Sequence, residues 1–292
     1  MHPRKTSMIR ICFLALIVFF PAGPGRANLP DGWLGSLEEA KQAAESEDRL
    51  ILVDLYADWC GWCKRLEQEV YSTDEFREYS ANLVLLQVDT EDGGEGSRLK
   101  QQYGVYSLPT TLILDSDLVQ VGKVEGFAPV VSYIRKIEHR IASFRELQEG
   151  YERFSKSSDP RALSTLASEF HQRLDGIRAA DLYRQLLSLE VLQPEEANWT
   201  RYQLSDALRI SHQFDAAQVE LERARTEALS ISQDSLVPRL DLLAADIALD
   251  RGDCEQARQE FQAFLGSHPT GELRRHARQA LAAINGNSAL CT

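Results

Sequence analysis

The chain is short of positive charge. Its 292 residues include 32 lysines and arginines against 44 aspartates and glutamates, a formal net charge of −12. A nucleic-acid binder needs a basic face, which this composition argues against. The acidic excess by itself indicates solubility and selects no partner. After Phe20 no apolar run approaches the roughly 17–25 residues of a membrane span. Cysteine is also scarce: five residues, at positions 12, 60, 63, 254 and 291, give one CxxC and no second. Four donors usually complete a structural zinc site. The six histidines, at positions 2, 139, 171, 212, 268 and 276, lie outside the segment around that pair and show no paired spacing. A metal site is therefore not expected, nor a separate cofactor.

What is present begins with a targeting pattern. "MHPRKTSMIR" carries Arg4, Lys5 and Arg10 and no acid, "ICFLALIVFF" is apolar from Ile11 to Phe20, and small residues follow at Gly25 and Ala27. This is the order of a secretory signal. The alternative is an uncleaved anchor. Cleavage after Ala27 would remove four basic residues (Arg4, Lys5, Arg10, Arg26) and make the mature chain still more acidic. It would also remove Cys12, which no lipobox precedes. The expected location is the periplasm or the exterior, a thiol-oxidising compartment.

Hydrophobic residues make up 43% of the chain, enough for packed cores. The expected organisation is a signal peptide at 1–27, an α/β domain at 28–150 and an all-α region at 151–292. In the first domain "SLEEAKQAAESEDR" reads as a helix capped by Ser36. "LILVDLYA" and "NLVLLQVD" read as strands buried on both faces. Cys60 to about Tyr71 and "SRLKQQYG" read as helices, "TTLILD" and "VQVGKVEG" as a hairpin, and "APVVSYIRKIEHRIASFREL" as a closing amphipathic helix. After Gly150 strand signals stop, and "SKSSDP", Ser155 to Pro160, marks a junction. Helical segments follow, broken at "LDG", "LQPEE", "SHQFD", "DRGD" and "SHPTG". "ALRISHQFDAAQVELERA" (207–224) matches "IALDRGDCEQARQEFQAF" (247–264), pairing Ala217 with Ala257 and Leu221 with Phe261. "GIRAADLYRQLL" (176–187), around Ala179, is a weaker third copy. Gly252-Asp253, Ala257 and Pro269 resemble the tetratricopeptide pattern, so this half reads as an α-solenoid of helical hairpins. The rival is a generic helical bundle.

"DWCGWCK", Asp58 to Lys64, carries the chemistry. A structural disulfide across two intervening residues closes too short a loop to constrain the unfolded chain much. With zinc unsupported, a dithiol–disulfide switch remains. The pair follows a buried strand and opens a helix, so Cys60 sits where the helix N-terminus favours a thiolate. Cys63 lies one turn further in, as the buried resolving thiol, with Cys60 as the exposed end. Gly61 allows close approach of a partner backbone, and Trp59 and Trp62 flank the site. Asp54, between apolar neighbours Val53 and Leu55, is expected to be buried; the alternative is a strand-end acid facing water.

"ILVDLYADWCGWCK" and "YGVYSLPTTLILD" together resemble the thioredoxin superfamily, in particular the family of C-terminal periplasmic domains of thiol:disulfide interchange proteins of the DsbD type. The likeness runs from about Leu34 to Glu138. It implies a thioredoxin fold with Cys60 attacking and Cys63 resolving, and no cofactor beyond the Cys60–Cys63 disulfide. It also implies that Pro109 is a cis-proline facing the pair, that Leu108 offers its backbone to a substrate strand, that Asp54 exchanges protons with Cys63, and that Glu67 is a second acid nearby. Leu85 stands where thioredoxin has a lysine near the buried acid. The substrate-binding set is therefore Trp59, Gly61, Trp62 and Leu108. The resemblance points to a protein-disulfide reductase acting on disulfide-containing protein substrates, with electrons from a separate DsbD-type membrane donor and the helical region docking a client. An oxidase or isomerase, or an interaction scaffold with the thioredoxin-like part as passenger, are the alternatives. Cys254 and Cys291, both in the helical half, are a candidate structural disulfide.

Overall fold

The computed structural model describes residues 29–268, 271 and 273–286. The targeting pattern, Cys12, the cleavage position near Ala27, Pro269 and Cys291 lie outside these residues. An α/β domain comes first and a run of helices follows. Five strands form one sheet: β1 (Trp33–Leu34), β2 (Leu50–Tyr56), β3 (Leu83–Asp89), β4 (Thr110–Leu114) and β5 (Gln120–Glu125), in spatial order β1-β3-β2-β4-β5. β1 and β2 run parallel to β3, while β4 is antiparallel to both β2 and β5. β2 is thus central, which is why it is apolar along both faces except at Asp54.

Helices cover each face. α1 (Leu37–Glu47) and α4 (Glu95–Gln102) bury Ala40, Ala44 and Leu99 against Ile51, Val53 and Leu55. α2 (Gly61–Leu66), its continuation Glu67–Tyr71, α3 (Asp74–Ser80) and α5 (Val130–Phe154) cover the other face, packing Leu66, Val70, Tyr71, Phe76, Tyr133 and Ile137 on Leu52 and Ile113. Ser36 caps α1 by accepting from the Glu39 N–H. The turn Glu67–Tyr71 is π-helical: Ser72 N–H bonds to the Glu67 carbonyl at 3.0 Å, five residues back. That wider turn carries both Val70 and Tyr71 into the core, and such turns recur at functional sites. Neither the π-turn, nor α3, nor the two-residue β1 is foreshadowed by the sequence pattern.

The helical region comprises α6 (Pro160–Gln172), α7 (Gly176–Ser188), α8 (Pro194–Ile210), α9 (Phe214–Ser230), α10 (Val237–Arg251), α11 (Cys254–Ser267) and α12 (Leu273–Gly286). Consecutive helices pack together, and α10 also touches α8 and α12. Ala217, Ala257, Leu221, Phe261 and Ala179 are all fully buried. The expected breaks at 174–176, 192–196, 211–215 and 250–253 each overlap a boundary between helices, and a further one, 231–236, separates α9 from α10.

The two parts share a continuous joint. α5 runs through residue 150 to Phe154, and its Leu147 packs against both the sheet core and the helical core. The α6–α7 turn then covers the outer edge of β5. Gln120 N–H donates to the Arg173 carbonyl (2.8 Å), Arg173 Nη1 donates to the carbonyls of Gln120 (3.2 Å) and Val121 (2.8 Å), and its guanidinium lies over the Phe144 ring. An edge strand left bare would invite pairing with another chain.

Candidate functional site

The site is built where β2 ends and α2 begins. Cys60 is the N-cap of α2, and its Sγ accepts the Cys63 N–H at 3.1 Å. Cys60 and Cys63 are joined by a disulfide of 2.06 Å, with Cα atoms 5.3 Å apart. The expectation that Cys60 would be the exposed member is not met in this oxidised state. Cys60 is 4% exposed and Cys63 6%. Bonded to each other, both sulfurs lie in a small apolar cluster with Ala57, Tyr56 and Leu108, so neither projects.

The 108–109 segment reaches the disulfide from β4. The Leu108–Pro109 peptide is cis, Leu108 packs on the cysteine cluster, and the Pro109 carbonyl accepts from Gly126 N–H at 2.9 Å. Gly126 has φ of 74°, a conformation that favours glycine. This turn brings in Phe127, a residue the sequence reading did not single out. Its ring lies 5.8 Å from that of Trp62, and the Arg65 guanidinium sits over both. Trp59 (71% exposed), Trp62 and Tyr106 leave large aromatic surfaces open to solvent. A Cβ on Gly61 would meet open space, so that face of α2 is accessible.

Asp54 lies on the β2 face covered by α2 and α5 and is 3% exposed. Its Oδ1 accepts from Tyr71 Oη at 3.1 Å and its Oδ2 from Gln87 Nε2 at 3.0 Å. The strand register sets Gln87 directly opposite Asp54, so an amide meets the acid although Leu85 replaces thioredoxin's lysine. Burial pushes the Asp54 carboxyl up to about 6; the hydrogen bonds from Gln87 and Tyr71 oppose this, and the Glu67 charge adds to it. Glu67 itself is exposed on the helix. Gln87, Tyr71, Thr111 and Tyr133 were all missed by the sequence reading. Each comes from a different element, and only the assembled sheet and π-turn bring them to Asp54.

Among the described residues no group of three or more His, Cys, Asp or Glu side chains could hold a metal ion. Cys254 lies buried at the start of α11, packed in the cluster with Ala257 and Phe261. Its expected partner Cys291 is outside the described residues.

A central mixed sheet, a CxxC disulfide at a helix start and an X–Pro turn beside it define a thioredoxin-like domain, and residues 32–116 match the thioredoxin-like family. Among curated proteins, the thiol:disulfide interchange protein DsbD of Yersinia pestis (strain Pestoides F) is 32% identical over 99 residues, 33% of this chain and 17% of that protein. DsbD of Haemophilus influenzae (strain 86-028NP) is 36% identical over 87 residues, 29% of this chain and 15% of that protein. The chain thus spans about a sixth of the length of these curated relatives. Among solved structures, the oxidised C-terminal domain of Neisseria meningitidis DsbD is 22% identical, covers 35% of this chain and 90% of that domain, and has a TM-score of 0.32.

Proposed function

We propose that this chain is an exported thiol–disulfide oxidoreductase that reduces disulfides in protein clients. The observation that carries the reading is the Cys60–Cys63 disulfide at the head of α2, following the strand that buries Asp54, a carboxyl that burial pushes up to about 6. In the reduced protein the Cys60 thiolate attacks one sulfur of a substrate disulfide. A Cys60–substrate mixed disulfide forms, and the other substrate sulfur leaves as a thiolate that takes up a proton. Asp54 accepts the Cys63 proton, and Cys63 attacks Cys60 Sγ, forming the Cys60–Cys63 disulfide and releasing the second substrate thiolate. Two electrons pass to the substrate; its first thiolate takes a proton from solvent, and its second is protonated as Asp54 gives up the proton it took from Cys63. Pro109 and Leu108 line the approach; the Leu108 backbone is offered to the substrate strand and Trp59, Trp62 and the open face of Gly61 to its side chains. Glu67 keeps negative charge near Asp54.

Re-reduction needs an electron donor, for which we assign a separate membrane protein of the DsbD type; no helix among the described residues is long and apolar enough to cross a membrane. Signal cleavage near Ala27 would place the chain in the periplasm. The helical half, read as tetratricopeptide-like, holds a client close to Cys60 and raises the local concentration of its disulfide. A groove of about 800 Å³ on α6–α8, lined by Arg161, Thr165, Leu186, Val191, Trp199 and Gln203, supports this docking role. A Cys254–Cys291 bridge would tie the chain end to α11; non-reducing peptide mapping that finds both as free thiols would end that idea.

Cys63→Ser is expected to trap client mixed disulfides through Cys60, and the mature protein to catalyse insulin reduction by dithiothreitol. If neither occurs while clients still bind, the chain is a scaffold with a passenger domain.

A further inference from the structure

Three buried hydroxyl groups form a closed triangle, and one of them, that of Tyr71, reaches Asp54. Tyr71 Oη lies 3.1 Å from Asp54 Oδ1, 2.9 Å from Thr111 Oγ1 and 3.3 Å from Tyr133 Oη; Thr111 Oγ1 and Tyr133 Oη are hydrogen-bonded to each other as well. Tyr71 comes from the π-turn, Thr111 from β4 and Tyr133 from α5, and all three are buried. We propose that Tyr71, held by Thr111 and Tyr133, is a positioning residue that lets Asp54 gain and lose a proton without leaving a buried polar group unpaired. The proposal deepens, and rests on, the reading of Asp54 as the acceptor of the Cys63 proton.

Counting hydrogens shows why a triangle suits this task. With Asp54 ionised, Tyr133 donates to Thr111, Thr111 to Tyr71 and Tyr71 to Asp54 Oδ1, while Gln87 donates to Oδ2. With Asp54 protonated, its O–H donates to Tyr71 and the three hydroxyls turn to donate around the ring, Tyr71 to Thr111, Thr111 to Tyr133 and Tyr133 back to Tyr71. Each hydroxyl donates once in both states, and no heavy atom has to move. A linear chain would leave its last donor unpaired in the second state, which is costly in a buried site. The titratable groups facing Asp54 are Glu67 and Tyr71 from the helix after the cysteines, Tyr133 from α5 and Tyr56 on its own strand. Burial holds the Tyr71 and Tyr133 phenols well above their ordinary value, so both stay neutral donors wherever Asp54 titrates.

The test follows the Asp54 carboxyl directly, by NMR titration of the oxidised full chain labelled with ¹³C-aspartate. The wild-type midpoint should fall near 6. Tyr71→Phe removes a donor to the carboxylate, a stronger bond than the neutral one lost from the protonated form, so the midpoint should rise by about one pH unit. Tyr133→Phe and Thr111→Val leave that donor in place but open the ring, stranding a hydroxyl only when Asp54 is protonated. Each should lower the midpoint by a smaller amount. Opposite signs are not expected of mutations that merely loosen the core. A midpoint unmoved or lowered in Tyr71→Phe, or raised in either ring-opening variant, overturns the proposal; should Tyr71→Phe not fold, the other two decide it. The same variants assayed for insulin reduction separate the two readings. Midpoints that move as expected in a protein inactive at every pH uphold the triangle and sink the reductase reading; unmoved midpoints in an active enzyme sink the triangle alone.

Discussion

Replacing Asp54 by asparagine is expected to stabilise the thioredoxin-like domain while impairing its chemistry. In the folded protein the carboxyl is pushed from its ordinary 3.8 up to about 6. Between those two values the unfolded chain has released a proton that the folded chain still holds, so stability falls as pH rises through the window. Below about pH 4 the group is neutral in both states and costs nothing; above about pH 6 it is ionised in both, and the full difference applies. At ~1.4 kcal/mol per pH unit, the buried charge costs about 3 kcal/mol at pH 8. Asparagine keeps the shape, accepts from Tyr71, and can pair with Gln87 once that amide turns over. The expected gain is therefore about 1–3 kcal/mol at pH 8, shrinking toward zero near pH 4. Hydrogen exchange of the central β2 and β4 amides in the oxidised protein would report it, because these open only with the domain. A variant no more stable than wild type at pH 8, or a gain of the same size at pH 4, would refute the reasoning.

Two other perturbations probe how the chain is assembled. Arg173→Ala removes two hydrogen bonds to β5 carbonyls and the cover over Phe144; it should weaken the joint by about 1–3 kcal/mol, seen as faster exchange of the Gln120 amide, and unchanged exchange would argue that the joint is held elsewhere. His276 Nε2 lies 2.7 Å from Asp246 Oδ1 between α12 and α10, and that hydrogen bond raises the imidazole's pKa. The stabilisation it brings is fully present below the ordinary histidine value of 6.5 and lost as pH rises through the raised folded value. Asp246→Asn should flatten the pH dependence of α12 amide exchange, and an unaltered slope would contradict the assignment.

Much of this was readable from local signals. Cys60 at a helix start, Ser36 as a cap and the alanine positions 217 and 257 follow from short-range pattern, and Asp54 could be read as buried because a lone acid in a strand apolar on both faces has nowhere else to point. What the pattern could not hold is pairing across distance. Gln87 meets Asp54 only through the β2–β3 register, and Thr111 and Tyr133 only through β4 and α5. Tyr71 reads as one more apolar helix position until the π-turn is known. Arg173, in an unremarkable helix connection, finds β5 only after both cores have formed. The break before α10 did carry a signal, Pro238 in the first turn, that the periodicity of the flanking helices obscured.

The central claim is that the Cys60–Cys63 couple donates electrons to client disulfides. Equilibrating the full chain in redox buffers of known poise, and quantifying its reduced fraction by thiol alkylation, gives the potential of that couple. The account predicts a value near thioredoxin's, about −270 mV; one near about −120 mV, that of a strong oxidant, would contradict it.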